Sequence, residues 1–446
     1  MATDSSRGAL DALYREFFER GVRYCLPTAV LTRTGPYHPA VAQLTTSGDG
    51  QRLDLAWLGG AYLLEQPGRA LTDNETKLLV SIGRVLSARY RLLLDSTLAA
   101  ERLDLFRGLP EDRFVSAYLD PSPYMRGDAP LIDRVGEAIE VLRISSSTTY
   151  ENRRINTGVL LFGNLPDPCH AVPPLPDGAL PYAQAITTTR TFYRLSDGMR
   201  TVALVDGLGR MVELVDIEEW AEPFSTTPLP VPCAARFSAH CRATLCGGHV
   251  CLVLTSNGEI KAFADGAQVF NFLDGRWRLS DMGEKYAAWE SALADPALAE
   301  RLFSTALNLA ERRRGGLFVV LTDPADAVLL VPPADRLDVA GSLAPRAESK
   351  QQFHYLLRGK SIVDLTATVL ESVARIDGAI VVDRRSNLLA FGSILRHPRD
   401  IELDRHAGEG ARTTAAIAAS RYGHVLKVSE DGLIGFFAGG RPVWEI

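Results

Sequence analysis

Leu10, Leu13, Tyr14, Phe17 and Phe18 recur at steps of three and four residues, so the chain opens on an amphipathic helix. Residues 24–32, 40–46 and 52–58 are rich in strand formers. Gly35-Pro36 and Ser47-Gly48-Asp49-Gly50 lie between them and favour turns, which predicts three short strands. Thr72 and Glu75 have the spacing of a capping box, in which each side chain satisfies an amide at a helix start. Leu78, Leu79, Ile82, Val85, Leu86 and Leu93 continue that helix at its own period. Asp120-Pro121-Ser122-Pro123 reads as a linker, and residues 131–144 as a helix with Val135, Ala138, Ile139 and Leu142 on one face. The unbroken apolar run 158–163 predicts a buried strand. Proline breaks pairing through residues 166–181, which predicts a surface loop.

The rest of the chain repeats itself. Ser196-Asp197-Gly198-Met199 leads into an apolar strand at 201–206 and a second strand at 207–214. Ile376-Asp377-Gly378-Ala379 leads into 380–383 and 386–391 in the same way. Further on, Gly248-His249-Val250 recurs as Gly423-His424-Val425, and Asn257-Gly258 as Asp431-Gly432. The spacing stays at roughly 175–180 residues, which marks a tandem duplication of one supersecondary unit. In the second copy a helix through Leu302, Ala306, Leu307 and Ala310 ends at Arg312-Arg313-Arg314-Gly315-Gly316. Basic residues suit the negative end of a helix and glycine suits its C-cap. A buried strand at 317–322 and a helix over 362–374 follow. Helices alternating with strands predict an α/β sheet with helices packed on it.

Composition narrows the function. At about 150 residues per domain, 446 residues suggest three domains: 1–119, 124–282 and 283–446. With 46% hydrophobic and 23% charged residues the chain is neither disordered nor collagen-like. Lys plus Arg is 48 against 54 Asp plus Glu, so a net charge of -6 offers nucleic acid no global attraction. No apolar run approaches the roughly 18 residues of a spanning helix, and residues 1–8 lack the basic start of a signal peptide. Six cysteines in so long a chain suit a reducing compartment, so a cytoplasmic protein without membrane or nucleic-acid partners is expected.

Three motifs of the second copy carry a family resemblance. They are Asp377-Gly378-Ala379, Gly410-Ala411-Arg412-Thr413-Thr414-Ala415-Ala416 and Ser429-Glu430-Asp431-Gly432. In this order they resemble the diadenylate cyclase (DAC) domain, over about residues 285–446. The first copy resembles a degenerate DAC-like domain. The short strands closed by one long helix in the first quarter resemble the end of a GAF sensor domain, or else a small α+β dimerisation domain. The expected fold is therefore α/β: a mixed C-terminal sheet flanked by helices, a second degenerate α/β domain before it, and an α+β sensor-like domain at the start. The resemblance implies condensation of two ATP to cyclic di-AMP with release of pyrophosphate, with Mg²⁺ or Mn²⁺ as cofactor. It also implies two facing domains, either in a homodimer or as the two copies of one chain.

The chemistry makes demands of its own. A sugar hydroxyl is a poor nucleophile and needs a carboxylate or a metal to take its proton. The transferring phosphate gathers charge and needs cationic donors. Asp377 and Glu430 are the candidate metal ligands, Asp377 and Arg412 the candidate catalytic residues. Gly378, Ala379, Gly410, Arg412, Thr413, Thr414 and Ser429 are the candidate nucleotide-binding positions. The family's Arg-His-Arg is Arg412-Thr413-Thr414 here, so two charges are missing. Arg405 and His406 lie just upstream as substitutes. A non-catalytic receptor for ATP or a cyclic dinucleotide is the alternative to an enzyme. In the first copy Met199 replaces the alanine and Ser256 replaces Glu430, while His240 and Arg242 are candidates to complete a composite site. Cys241, Cys246 and Cys251, with His240 and His249, have C-x4-C-x4-C spacing rather than the paired spacing of most zinc sites, and read as small buried hydrophobes. Gly207-Leu208-Gly209 reads as a hairpin turn, and no phosphate-loop or nucleophile-elbow motif occurs.

Overall fold

The computed structural model describes residues 4–38, 40–49, 51–94, 105–125, 132–171, 174–188, 195–337, 353–396 and 410–446. They divide into two compact units, Met1–Leu229 with Ala239–Asp281, and Pro230–Ser238 with Met282–Ile446. The architecture is multi-domain α/β, with mixed sheets and flanking helices. Among the described residues no helix is long and apolar enough to cross a membrane.

In the first unit, the apolar stripe of α1 (Asp4–Cys25) buries Tyr14, Phe18 and Val22. The helix continues through Tyr24 and Cys25, so the strand expected at 24–32 begins only at β1 (Val30–Pro36). β2 (Thr45–Gly48), β3 (Arg52–Trp57) and β4 (Gly60–Glu65) complete an antiparallel sheet in the order β1-β4-β3-β2. β4 has no counterpart in the sequence-based expectation. Leu58 and Gly59 both take positive φ, 42° and 77°, and fold β3 back as a two-residue hairpin, although leucine carries no turn signature. α2 (Asp73–Leu94) starts at the expected capping box: the Glu75 amide donates to Thr72 Oγ1 at 3.1 Å, and the Thr72 amide to Glu75 Oε2 at 2.9 Å.

The expected linker at 120–123 is instead a half-buried turn that follows α3 (Pro110–Leu119) and precedes α4 (Arg134–Ser146). Tyr124 is only 2% exposed. Its hydroxyl, the Ser116 hydroxyl and the Arg113 guanidinium all donate to Asp133, which also caps α4 by accepting from the Gly136 amide. The prolines follow the end of α3, and Pro123 and Tyr124 are buried. One hydrophobic cluster runs from Tyr14 through Leu142 to Trp277.

A hairpin of β5 (Thr149–Tyr150) and β6 (Arg153–Arg154) precedes β7 (Thr157–Leu161), the expected buried strand. Then come α5 (Tyr182–Thr188), β8 (Thr201–Val205), β9 (Met211–Asp216), α6 (Ile217–Ala221), α7 (Ser238–Arg242), β10 (Val250–Leu254), β11 (Ile260–Ala264), β12 (Ala267–Leu273) and β13 (Arg276–Leu279). They form a sheet in the order β13-β12-β11-β10-β7-β8-β9, in which only β7 and β8 run parallel.

The second unit holds α8 (Met282–Leu293), α9 (Pro296–Glu311), β14 (Gly316–Leu321), α10 (Ala327–Leu330), α11 (His354–Leu357), α12 (Ala367–Ala374), β15 (Ala379–Asp383), β16 (Leu388–Ser393), α13 (Ala411–Ala419), β17 (Gly423–Val428), β18 (Ile434–Ala438) and β19 (Arg441–Glu445). The helix expected over 362–374 is broken. A short turn at Ile362–Asp364 precedes Thr366, whose Oγ1 caps α12 by accepting from the Val369 amide. The sheet order is β16-β15-β14-β17-β18-β19, and only β14 and β15 are parallel. The first unit's sheet has the same order, β9-β8-β7-β10-β11-β12, with β13 added at its edge. The duplicated hairpins thus build two sheets of one topology.

Candidate functional site

In the second unit, strand register gathers most of the candidate residues at one sheet end. Gly316 at the start of β14 pairs with Val428 at the end of β17, and Ala379 at the start of β15 pairs with Ser393 at the end of β16. Asp377 and Gly378 therefore enter the sheet where Ser429 and Glu430 leave it. Strands β15 and β17 flank β14, so they are about 10 Å apart at strand spacing. Gly378 has φ +114°, and a Cβ there would lie 2.6 Å from the Ser393 amide nitrogen. The glycine of the Asp-Gly pair is thus a backbone requirement of two closely approaching strands.

Arg412, in the first turn of α13 behind Gly410, points its guanidinium over Gly315. A Cβ at 315 would come within 2.5 Å of Arg412 Cζ. Arg412 Nη1 meets Glu430 Oε1 at 2.9 Å, with both side chains substantially exposed. Ser429 closes the β17–β18 turn: its hydroxyl accepts from the Leu433 amide at 3.2 Å. Thr413 Oγ1 accepts from Lys427 Nζ at 3.1 Å. Ala379 is buried in the sheet, and Thr414 lies one residue further along α13 with its amide donating to the Gly410 carbonyl. Arg405 and His406 lie outside the described residues.

The two Asp-Gly turns differ in what the carboxylate does. Asp197 Oδ1 accepts from the amides of Met199, Arg200 and Thr201 at 2.8, 2.8 and 3.0 Å. Burial pushes the Asp197 carboxyl up, but those amides outweigh it and hold it below the usual range. Asp377 is exposed, and among the described residues nothing hydrogen-bonds its carboxylate. In the first copy the aspartate builds the turn; in the second its carboxylate faces solvent. His240 is fully buried, with Nε2 2.8 Å from the Gly198 carbonyl oxygen. It is turned into its own copy's core.

A different cluster lies in the first unit, where the proline-rich loop returns to the sheet. Asp167 Oδ2 is 2.9 Å from His170 Nδ1 and 2.7 Å from His249 Nε2. The three ligand atoms lie within 4.8 Å of one another, close enough for these residues to chelate a divalent metal. His249 Nδ1 accepts from the Gly163 amide at 2.8 Å, which places the ring proton on Nε2, facing Asp167. His170 Nε2 faces the Trp220 carbonyl oxygen at 3.0 Å and so donates, and its ring stacks on the indole at 4.0 Å. Burial raises the Asp167 carboxyl, but the Cys169 amide, both imidazoles and the His170 amide bring it down to about 2. Burial lowers His249 more than Asp167 raises it. One carboxylate and two imidazoles are consistent with a divalent ion such as Mg²⁺ or Mn²⁺ and single out neither. Among the described residues the cysteines take no part in a metal grouping, and Cys241 and Cys251 are buried.

The sequence reading missed Asp167 and His170 because it treated the loop as a surface excursion; a histidine three residues after an aspartate was the available signal. It also passed over Lys427, the one lysine of strand β17.

No protein-family model matches the chain, and no curated protein matches it. Among solved structures it has weak, partial similarity to a hypothetical membrane spanning protein from Bacillus cereus, with 22% identity and a TM-score of 0.25 over 36% of this chain and 70% of that one. It has a similarly weak, partial likeness to DacA from Staphylococcus aureus, in a double-mutant form, with 17% identity and a TM-score of 0.22 over 35% of this chain and 87% of that one.

Proposed function

We propose that the end of the second unit's sheet binds a nucleoside triphosphate and acts as a diadenylate cyclase-type nucleotidyltransferase. The observation that carries this reading is the placement of Arg412. Its guanidinium lies over the side-chain-free Gly315 and pairs with Glu430, at the sheet end where the uncommitted Asp377 carboxylate enters. In this reading Arg412 binds phosphate oxygens through its fork of donors. Asp377 takes the proton of a 3′-hydroxyl as that oxygen bonds to the α-phosphorus of a second ATP. The bond from the α-phosphorus to the bridging oxygen breaks, and pyrophosphate leaves. Gly378, Ala379, Gly410, Thr413, Thr414 and Ser429 shape the nucleotide's seat. Asp377 and Glu430 are oxygen donors, which suit Mg²⁺ or Mn²⁺; when bound, the ion would add positive charge at the transferring phosphate. In this reading two such seats face each other in a homodimer.

A division into a GAF-like sensor segment (1–119), a degenerate copy (124–282) and a better-preserved copy (283–446) belongs to the same reading. The uncharged Thr413 and Thr414 favour a second one, a receptor that binds ATP or a cyclic dinucleotide without turnover. Incubation of the purified protein with ATP and Mn²⁺ or Mg²⁺, with products resolved by chromatography and mass, separates the two. Cyclic di-AMP made by the wild type and lost in Asp377→Asn supports the enzyme. Saturable ATP binding without product supports the receptor, and absence of both refutes the site.

A further inference from the structure

Lys427 lies where the fold alone would place an apolar side chain. Val425 and Lys427 are two residues apart on β17 and share a face. Val425 is fully buried in the cluster that includes Ala416 and Ala419 of α13. The matching strand of the first copy, aligned through its closing turn with Thr255 against Ser429 and Gly258 against Gly432, holds Val253 in the place of Lys427, and Val253 is fully buried. The first copy therefore packs a valine there, and the lysine is a departure.

The surroundings of the lysine are built around its stem. Gly435 pairs with Lys427 across β18, and a Cβ at 435 would meet the Phe437 ring and stand 3.9 Å from Lys427 Cε. The ammonium lies 5.6 Å from the Phe437 ring centroid and donates to Thr413 Oγ1 at 3.1 Å. Among the described residues no carboxylate pairs with it. The adjacent Arg412 already has Glu430 as counter-charge at 2.9 Å. A partly desolvated ammonium with a hydroxyl and a ring as neighbours keeps donors to spare and lacks an anion.

We infer that Lys427 is an anion-binding residue, which brings to the first turn of α13 a positive charge that Thr413 and Thr414 do not carry. Its ligand is the polyphosphate of a nucleoside triphosphate. This rests on the proposed nucleotide site and adds to it a residue from a different strand. Thr413 orients the ammonium by accepting one of its protons.

The test is Lys427→Leu, an apolar side chain that keeps part of the lysine stem's packing, with Lys427→Arg as the charge-conserving partner. Affinities for ATP, inorganic pyrophosphate and adenosine are measured by calorimetry on the full chain, beside Tm. Lys427→Leu is expected to weaken ATP and pyrophosphate by roughly 10- to 100-fold, the loss of one charge-assisted hydrogen bond. Adenosine affinity and Tm should be kept, and Lys427→Arg should restore most of the phosphate affinity. If wild type and Lys427→Leu bind ATP equally while Arg412→Ala does not bind it, Lys427 is not part of the site although the site stands. If Lys427→Leu lowers Tm and leaves every affinity unchanged, the lysine is structural and the inference is wrong. If the wild type binds neither ATP nor pyrophosphate, the site and the inference fall together.

Discussion

Gly315→Ala tests the proposed site with little disturbance of the fold. Residue 315 does not have positive φ, so alanine is compatible with its backbone. The added Cβ would lie 2.5 Å from Arg412 Cζ and 2.9 Å from Nη2, the far end of a flexible side chain. The guanidinium must move, and the Arg412–Glu430 pair goes with it. That pair is exposed, with side-chain accessibilities of 42% and 69%, so its loss costs about 0–1 kcal/mol. Replacing glycine by alanine returns about 0.4–1 kcal/mol through the unfolded chain. The two nearly cancel, and urea midpoints should agree to within about 1 kcal/mol. A displaced Arg412 loses a charge-assisted contact worth about 1.5–3 kcal/mol, so ATP should bind roughly 10- to 100-fold more weakly. Calorimetry on the two proteins at one ionic strength reads this directly. Unchanged ATP affinity with unchanged stability would refute the role of Arg412.

Other consequences are structural. Asp133→Ala leaves the 1%-exposed Arg113 side chain without its carboxylate and removes the cap of α4, so a loss of about 3–5 kcal/mol is expected in urea melts; a loss under 1 kcal/mol would contradict it. The loop cluster should make the first unit acid-sensitive in two steps. His249 is held below 6.5 in the folded state, so its stabilising share is complete above that pH and declines as the pH falls through its lower folded value. Asp167, held at about 2 against an ordinary 3.8, adds stability that is lost between about pH 4 and 2. In Asp167→Asn the lower step should vanish from denaturant melts taken across pH, and its persistence would place the acid sensitivity elsewhere.

The duplication was legible because it is local. Each Asp-Gly turn, Gly-His-Val strand start and late glycine turn is set by a few neighbouring residues, and each recurs in the same order. The capping box at Thr72 and Glu75 was legible for the same reason. The β4 strand was not, because Leu58 takes positive φ only under the pairing of β3 with β4, which no short-range signal encodes. The 120–123 turn read as a linker because its prolines are local, whereas the burial of Tyr124 against Asp133 is tertiary.

The site divides along the same line. The sequence by itself determined which residues were candidates, since Asp377, Arg412 and Glu430 stand in motifs whose order can be read along the chain. Only the tertiary structure decided their surroundings. Parallel pairing of β14 with β15, across a helical crossover, carries Asp377 to the sheet end that holds Glu430. Close packing puts Arg412 over Gly315, and strand alternation aims Lys427 at Thr413. The cluster of Asp167 and His249, 82 residues apart, needs a loop folded back on a strand start. A one-dimensional pattern specifies residue types and periods; which distant residues meet is set by register and packing, which exist only once the chain has folded.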